Sequence, residues 1–174
     1  MKIELKNVKL YLTMSEETLC FEASLYVDGQ KVSRVSNSGQ GGEQRFDAPW
    51  STIDPVNDWC KANLPKWGGE FVGGENDTDL SLHISDLINR FSILKEYKKL
   101  LRTKMIFLPK DLKGDSYRTM AKPKFGSVAG FNAWVQTMVR KHPKYYVLNA
   151  LPVGEAENLW VDFHFKTQER LDNS

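Results

Sequence analysis

Residues 90–144 hold fourteen Lys and Arg against three Asp and Glu, with aromatic residues set among them. Cations for phosphates and rings for bases are the combination that nucleic-acid binders use. The side chains that carry this reading are Lys95, Lys98, Lys99, Arg102, Lys104, Lys110, Lys113, Arg118, Lys122 and Lys124. Among the rings, Phe91, Phe107 and Trp134 sit on apolar stripes and read as core, whereas Tyr97, Tyr117 and Phe125 are expected at the surface. No helix-turn-helix, zinc-finger, RRM or KH signature accompanies them, so the expected partner is an anionic macromolecule bound without sequence-specific readout. Nucleic acid fits, and so does an acidic host protein, because the same surface complements either.

The charge is unevenly placed. Residues 1–89 carry eight Lys and Arg against fourteen Asp and Glu, residues 145–174 carry two against five, and the whole chain is only +2. Like charges repel across a folded surface unless something offsets them. Either a partner or the acidic N-terminal part can do so.

Metal and thiol chemistry lack the residues. Three histidines (His83, His142, His164) and two cysteines (Cys20, Cys60) show no Cys-x-x-Cys or His-x-x-x-His spacing, so no metal and no cofactor is implied. Both cysteines have apolar neighbours and read as buried free thiols. Gly39-Gln40-Gly41-Gly42 follows a strand, but no Lys-Ser/Thr comes after it as a P-loop requires, so it reads as a flexible loop.

Leu82-His83-Ile84-Ser85 resembles the His-x-Ser/Thr element of two-histidine phosphodiesterases. The resemblance implies an alternative function: His83 and His164, 81 residues apart, would exchange protons at a cyclic or oligonucleotide phosphate while hydroxyls hold its oxygens. The second element departs from the pattern, with Lys166 where the hydroxyl belongs and Thr167 one place further. That chemistry also needs both histidines on adjacent central strands, and both lie in segments that read as helices. The preferred reading is therefore a non-enzymatic binding protein.

These residues must be positioned by a chain of 174 residues, 41% apolar and 26% charged. That size and composition fit one globular domain over 1–167, with 168–174 as a frayed tail. No stretch approaches the roughly 18 apolar residues of a membrane span, and MKIELKNVKL alternates charged and apolar residues instead of forming a signal-peptide core, so a cytoplasmic protein is expected with no membrane partner.

The fold expected is α+β. Ile3 to Leu12 alternates with a change of phase near Asn7 that predicts a bulge. Leu19, Phe21, Ala23, Leu25 and Val27 keep strict period two, and Asp28-Gly29 turns the chain into Lys31–Val35. This three-stranded antiparallel meander needs a cover for its apolar face. Helices are expected from Asp54-Pro55 to Leu64, from an Asp77 or Asp79 cap to Arg102, and from a Ser127 cap to Lys141; after Pro152 a fourth is favoured on the spacing of Ala156, Leu159, Trp160 and Phe163, although Leu159, Val161, Phe163 and Phe165 also alternate as a strand would. Met105–Leu108 and Tyr117–Met120 read as a second hairpin around Lys113-Gly114-Asp115. Phe21, Leu25, Leu87, Phe91 and Trp134 are the expected core markers.

The block Met14-Ser15-Glu16-Glu17-Thr18-Leu19-Cys20-Phe21, with Ala23-Ser24-Leu25-Tyr26-Val27-Asp28-Gly29 and Asn37-Ser38-Gly39-Gln40-Gly41-Gly42, resembles a family of small uncharacterised phage and prophage proteins. The likeness covers about the first 45 residues. It implies a phage accessory protein of the host cytoplasm, with a host-takeover or anti-defence role, and brings no reaction or catalytic residue. The basic stretch Lys110–Lys124 departs from the compact hairpin of that family.

Overall fold

The computed structural model describes residues 1–69, 74–112 and 116–172, and the fold is α+β. Lys113 and the turn expected at 113–115 lie outside the described residues, as do Asn173 and Ser174. The chain divides into two compact units, residues 1–89 and 90–174.

In the first unit, β1 (Ile3–Leu10), β2 (Phe21–Val27), β3 (Gln30–Asn37) and the two-residue β4 (Arg45–Phe46) form an antiparallel sheet in sequence order. The bulge falls where the phase of β1 changes, with the register shifting between Lys6 and Lys9 and Asn7 at φ 55°. Asp28 (φ 49°) and Gly29 (φ 84°) both take the left-handed conformation that a two-residue hairpin turn requires. Phe21, Ala23 and Leu25, alternate residues of β2, are buried. They pack with Ile53, Val56 and Cys60 of α1 (Trp50–Asn63) and with Leu80, Ile84 and Ile88 of α2 (Leu80–Thr103). Burial pushes the Cys60 thiol up to about 11, since a thiolate there would lose its water.

Helix α1 starts four residues before the expected Asp54-Pro55. Pro49 precedes its first turn, and Pro55 sits inside the helix, where it removes one backbone donor. A ribbon of β5 (Trp67–Gly69) and β6 (Gly74–Asn76) leads into α2. Asp79 caps α2, its Oδ1 accepting from Leu82 N at 2.7 Å, and Asn57 Oδ1 accepts from Leu80 N at 3.0 Å.

In the second unit, β7 (Lys104–Pro109) lies between β8 (Arg118–Ala121) and β9 (Tyr145–Val147), so the expected hairpin is part of a three-stranded sheet. Met105 and Phe107 pack under α3 (Val128–Lys141) with Val135, Met138 and Val147. Ile106 and Leu108, on the opposite face, pack with Tyr97 of α2 and with Ala156, Trp160 and Phe163 of α4 (Val153–Asp172). Burial on both faces is why β7 reads as an unbroken apolar run instead of alternating. Asn149 extends its pairing: Oδ1 accepts from Ile106 N at 2.9 Å and Nδ2 donates to Lys104 O at 3.2 Å.

Three core markers need correction. The buried stripe of α2 runs Leu80, Ile84, Ile88 and then changes phase to Ile93, Tyr97, Leu100 and Leu101, because the two halves of the helix serve different clusters. Phe91 falls between the two phases and is 38% exposed, and Leu87 and Trp134 are half-buried. Phe91→Ala should therefore cost less than about 1 kcal/mol in chemical denaturation, against the roughly 3 to 5 kcal/mol of a buried phenylalanine. A loss in the upper range would place Phe91 in a core.

Candidate functional site

The cations of the second unit fall into two groups. Lys95, Lys98, Lys99 and Arg102 are exposed and spaced i, i+3, i+4, i+7, which puts them on one face of α2. Tyr97, on the other side of that helix, is 2% exposed in the core, so the expectation of a surface ring there is overturned. The second group lies with α3. Arg118 pairs in register with Phe107, which packs under α3, and its guanidinium stands 5.3 Å over the Tyr145 ring. Lys122 Nζ sits 4.8 Å over Phe131 of α3, whereas Lys110 Nζ is 5.8 Å from the ring of Tyr146, which packs with the cluster of α2 and α4, so Lys110 does not share the α3 side. Lys124 is exposed and Lys104 is half-buried at the start of β7. The nine described side chains of the ten thus do not form one patch, and α3 adds Arg140 and Lys141 at its end, which the sequence alone did not single out.

The four ion pairs among the described residues are Lys2–Glu4, Arg34–Glu22, Lys66–Asp77 and Lys98–Glu157. Of the selected cations that are described, only Lys98 is therefore in an ion pair. The rings are less free than the cations. Tyr117 packs edge-on against Trp160 at 4.7 Å, and burial pushes its hydroxyl above the ordinary tyrosine range. Phe125 is 38% exposed but packs on Phe131 and Trp134.

The histidines lie on helices, His83 on α2 and His164 on α4. Burial pushes the His83 pKa down, with Asp86 opposing, and His83 lines a groove of ≈ 460 Å³ with Trp67 and Asn89. His164 Nδ1 donates to Trp160 O at 2.8 Å, and its ring packs against Trp160, Phe163 and Tyr117. The hydroxyls that the enzyme alternative would use are committed to their own helices: Ser85 Oγ donates to Ser81 O at 3.0 Å and Thr167 Oγ1 to Phe163 O at 2.8 Å.

A cleft of ≈ 680 Å³ opens in the first unit, lined by the 15–19 loop, residues 37 and 42–44, Trp67 and the first turns of α2. Two loops are locked together to make its wall. The Gly39 carbonyl accepts from the backbone N–H groups of Glu16 (2.9 Å), Glu17 (3.0 Å) and Thr18 (3.3 Å). Buried Asn37 accepts from Thr18 Oγ1 and Gly39 N and donates to Gly42 O. The Gly39–Gly42 segment is thus a bonded wall and not a free loop. Gln44 completes it, its Nε2 donating to Ser81 O and Ser85 Oγ, both at 2.8 Å. No local pattern marks this cleft, because Gln44 meets residues 37 and 41 positions away.

Among the described residues, no helix is long and apolar enough to cross a membrane. No family model, curated protein or solved structure matches the chain.

Proposed function

We propose that this is a non-enzymatic phage accessory protein whose second unit binds an anionic macromolecule, with nucleic acid as the favoured partner. The observation that carries the reading is the set of exposed Lys and Arg on α2 and beside α3, of which, among the described residues, Lys98 alone makes an ion pair. Residues 90–174 hold sixteen Lys and Arg against eight Asp and Glu, so this unit has a large unspent positive charge. Tyr97 is in the core, Tyr117 packs against Trp160, and Phe125, though 38% exposed, packs on Phe131 and Trp134, which favours contacts to the phosphate backbone over base stacking. Phage origin is supported by the likeness of the N-terminal block, and a host-takeover or anti-defence role belongs to the same proposal.

Fluorescence anisotropy with single- and double-stranded DNA and RNA tests this. Expected is binding to duplex of mixed sequence that weakens at least tenfold between about 50 and 200 mM salt, because bound phosphates release counterions. Lys95→Glu/Lys99→Glu/Arg102→Glu and Arg118→Glu/Lys122→Glu should each weaken it and flatten the salt slope. Absent or salt-insensitive binding would overturn the nucleic-acid reading. The acidic host protein would then be the partner to seek by capture from infected-host lysate.

A further inference from the structure

In the second unit β7 has a helical layer on each face, and the two groups of cations belong to different layers. Met105 and Phe107 point to α3, while the alternate residues Ile106 and Leu108 point to α2 and α4. Residues directly opposite each other in an antiparallel ladder share a face, so Arg118, opposite Phe107, is on the α3 side. Lys122 over Phe131, with Arg140 and Lys141 in the last turn of α3, extends that side. Residues 116–144 hold the six exposed cations Arg118, Lys122, Lys124, Arg140, Lys141 and Lys144, and no Asp or Glu.

The α2 group faces the other way. Tyr97, Leu100 and Leu101 turn into the cluster between α2 and the sheet. At 3.6 residues per turn, Lys95, Lys99 and Arg102 fall within about 40° of the point opposite Tyr97 on the helix, so they lead away from the sheet. Lys98 lies on the flank of α2, where it meets Glu157 of α4 at 3.2 Å. The two groups of cations are thus on opposite sides of one sheet.

A duplex has a persistence length of about 150 base pairs, so a segment of about 20 base pairs is a stiff rod. Such a rod can lie along one side of the unit and does not bend round to the other. We propose that the second unit holds two nucleic-acid segments at once, one on the Lys95, Lys99 and Arg102 side of α2 and one on the Arg118 and Lys122 side beside α3, and so bridges them. This bridging rests on nucleic acid being the partner of the unit. The sixteen Lys and Arg of residues 90–174, against eight Asp and Glu, lie between the two segments and offset their mutual repulsion. Contacts to phosphates carry no sequence information, so the two segments need share no sequence.

The test uses the full-length protein, a biotinylated duplex of about 20 base pairs on streptavidin beads and a fluorescent duplex of the same length in solution. At about 50 mM salt the protein should hold the fluorescent duplex on the beads. Lys95→Glu/Lys99→Glu/Arg102→Glu and Arg118→Glu/Lys122→Glu should each still bind one duplex in anisotropy, through the side left intact, yet retain about tenfold less of the second. All five side chains are exposed, so both variants keep the fold, which an unchanged far-UV circular dichroism spectrum verifies. Binding in anisotropy with no second duplex retained would overturn bridging and leave nucleic-acid binding standing. Undiminished bridging in either variant would overturn it as well, because self-association of a one-sided protein would then be the cause. So would loss of all binding in either folded variant, since one side alone would then not hold a segment. If the unaltered protein binds no duplex, nucleic-acid binding and bridging fall together.

Discussion

Gly39→Ala is expected to destabilise the first unit by about 2 to 4 kcal/mol, with the urea midpoint falling accordingly. A Cβ at this position would lie 2.3 Å from the backbone oxygen of Met14 and 2.9 Å from Cys20 Cβ. The first of these is main chain and cannot swing away. The residue is also at φ +89°, where a side chain adds about 1 kcal/mol of strain. Relief requires the 14–18 loop and the 37–42 loop to separate, which breaks the three N–H bonds to the Gly39 carbonyl. Hydrogen exchange at the Glu16, Glu17 and Thr18 amides should rise in the variant along with the midpoint shift. Gly42→Ala is the control: a Cβ there meets nothing within 4 Å, and its effect should stay within about 0.5 kcal/mol. Equal effects from the two substitutions would show that the loops are not locked in this way.

Local signals made much of the fold legible. The period-two run of β2, the Asp28-Gly29 turn, the bulge near Asn7 and the Asp79 and Ser127 caps each depend on residues a few positions apart, and each is present. The signals that failed depend on distant partners. Nothing local announces that α2 changes its buried face after Ile88, since Ile84, Leu87, Ile88, Phe91 and Leu94 make an uninterrupted stripe by spacing alone. Nor does Tyr145–Val147 reveal that it pairs with Phe107–Pro109. Charge is read residue by residue, so the cations could be selected from sequence. Their division between α2 and the α3 side could not, because it follows from which face of β7 each layer covers. The cleft was the least visible feature of all, because its wall unites segments around Glu16, Gly39 and Ser85 that only the folded chain brings together.

Trp160→Ala should be the most damaging single change in the second unit, costing about 3 to 5 kcal/mol. Trp160 is fully buried, and its ring meets Tyr97 at 5.4 Å, Tyr117 at 4.7 Å and His164 at 4.3 Å. Removing it leaves a cavity that three rings and Phe163 would have to fill, and packed interiors relax only partly around such a loss. The indole also holds α4 to α2 through a bond from Nε1–H to Ile93 O at 3.1 Å. Trp160→Phe separates the two contributions: it keeps an aromatic ring and removes the donor, so it should cost about 1 to 2 kcal/mol. Exchange protection at the amides of β7 is the direct readout, because Ile106 and Leu108 rest on the same cluster. The variant also bears on the anionic surface. Lys98 reaches Glu157 of α4 at 3.2 Å, and loosening α4 would free that lysine while leaving Lys95, Lys99 and Arg102 on their helix. Nucleic-acid affinity at low salt should then survive in Trp160→Ala even as the core weakens, provided α2 stays folded at the assay temperature. Unchanged β7 protection would show that the cluster around Trp160 does not hold this sheet.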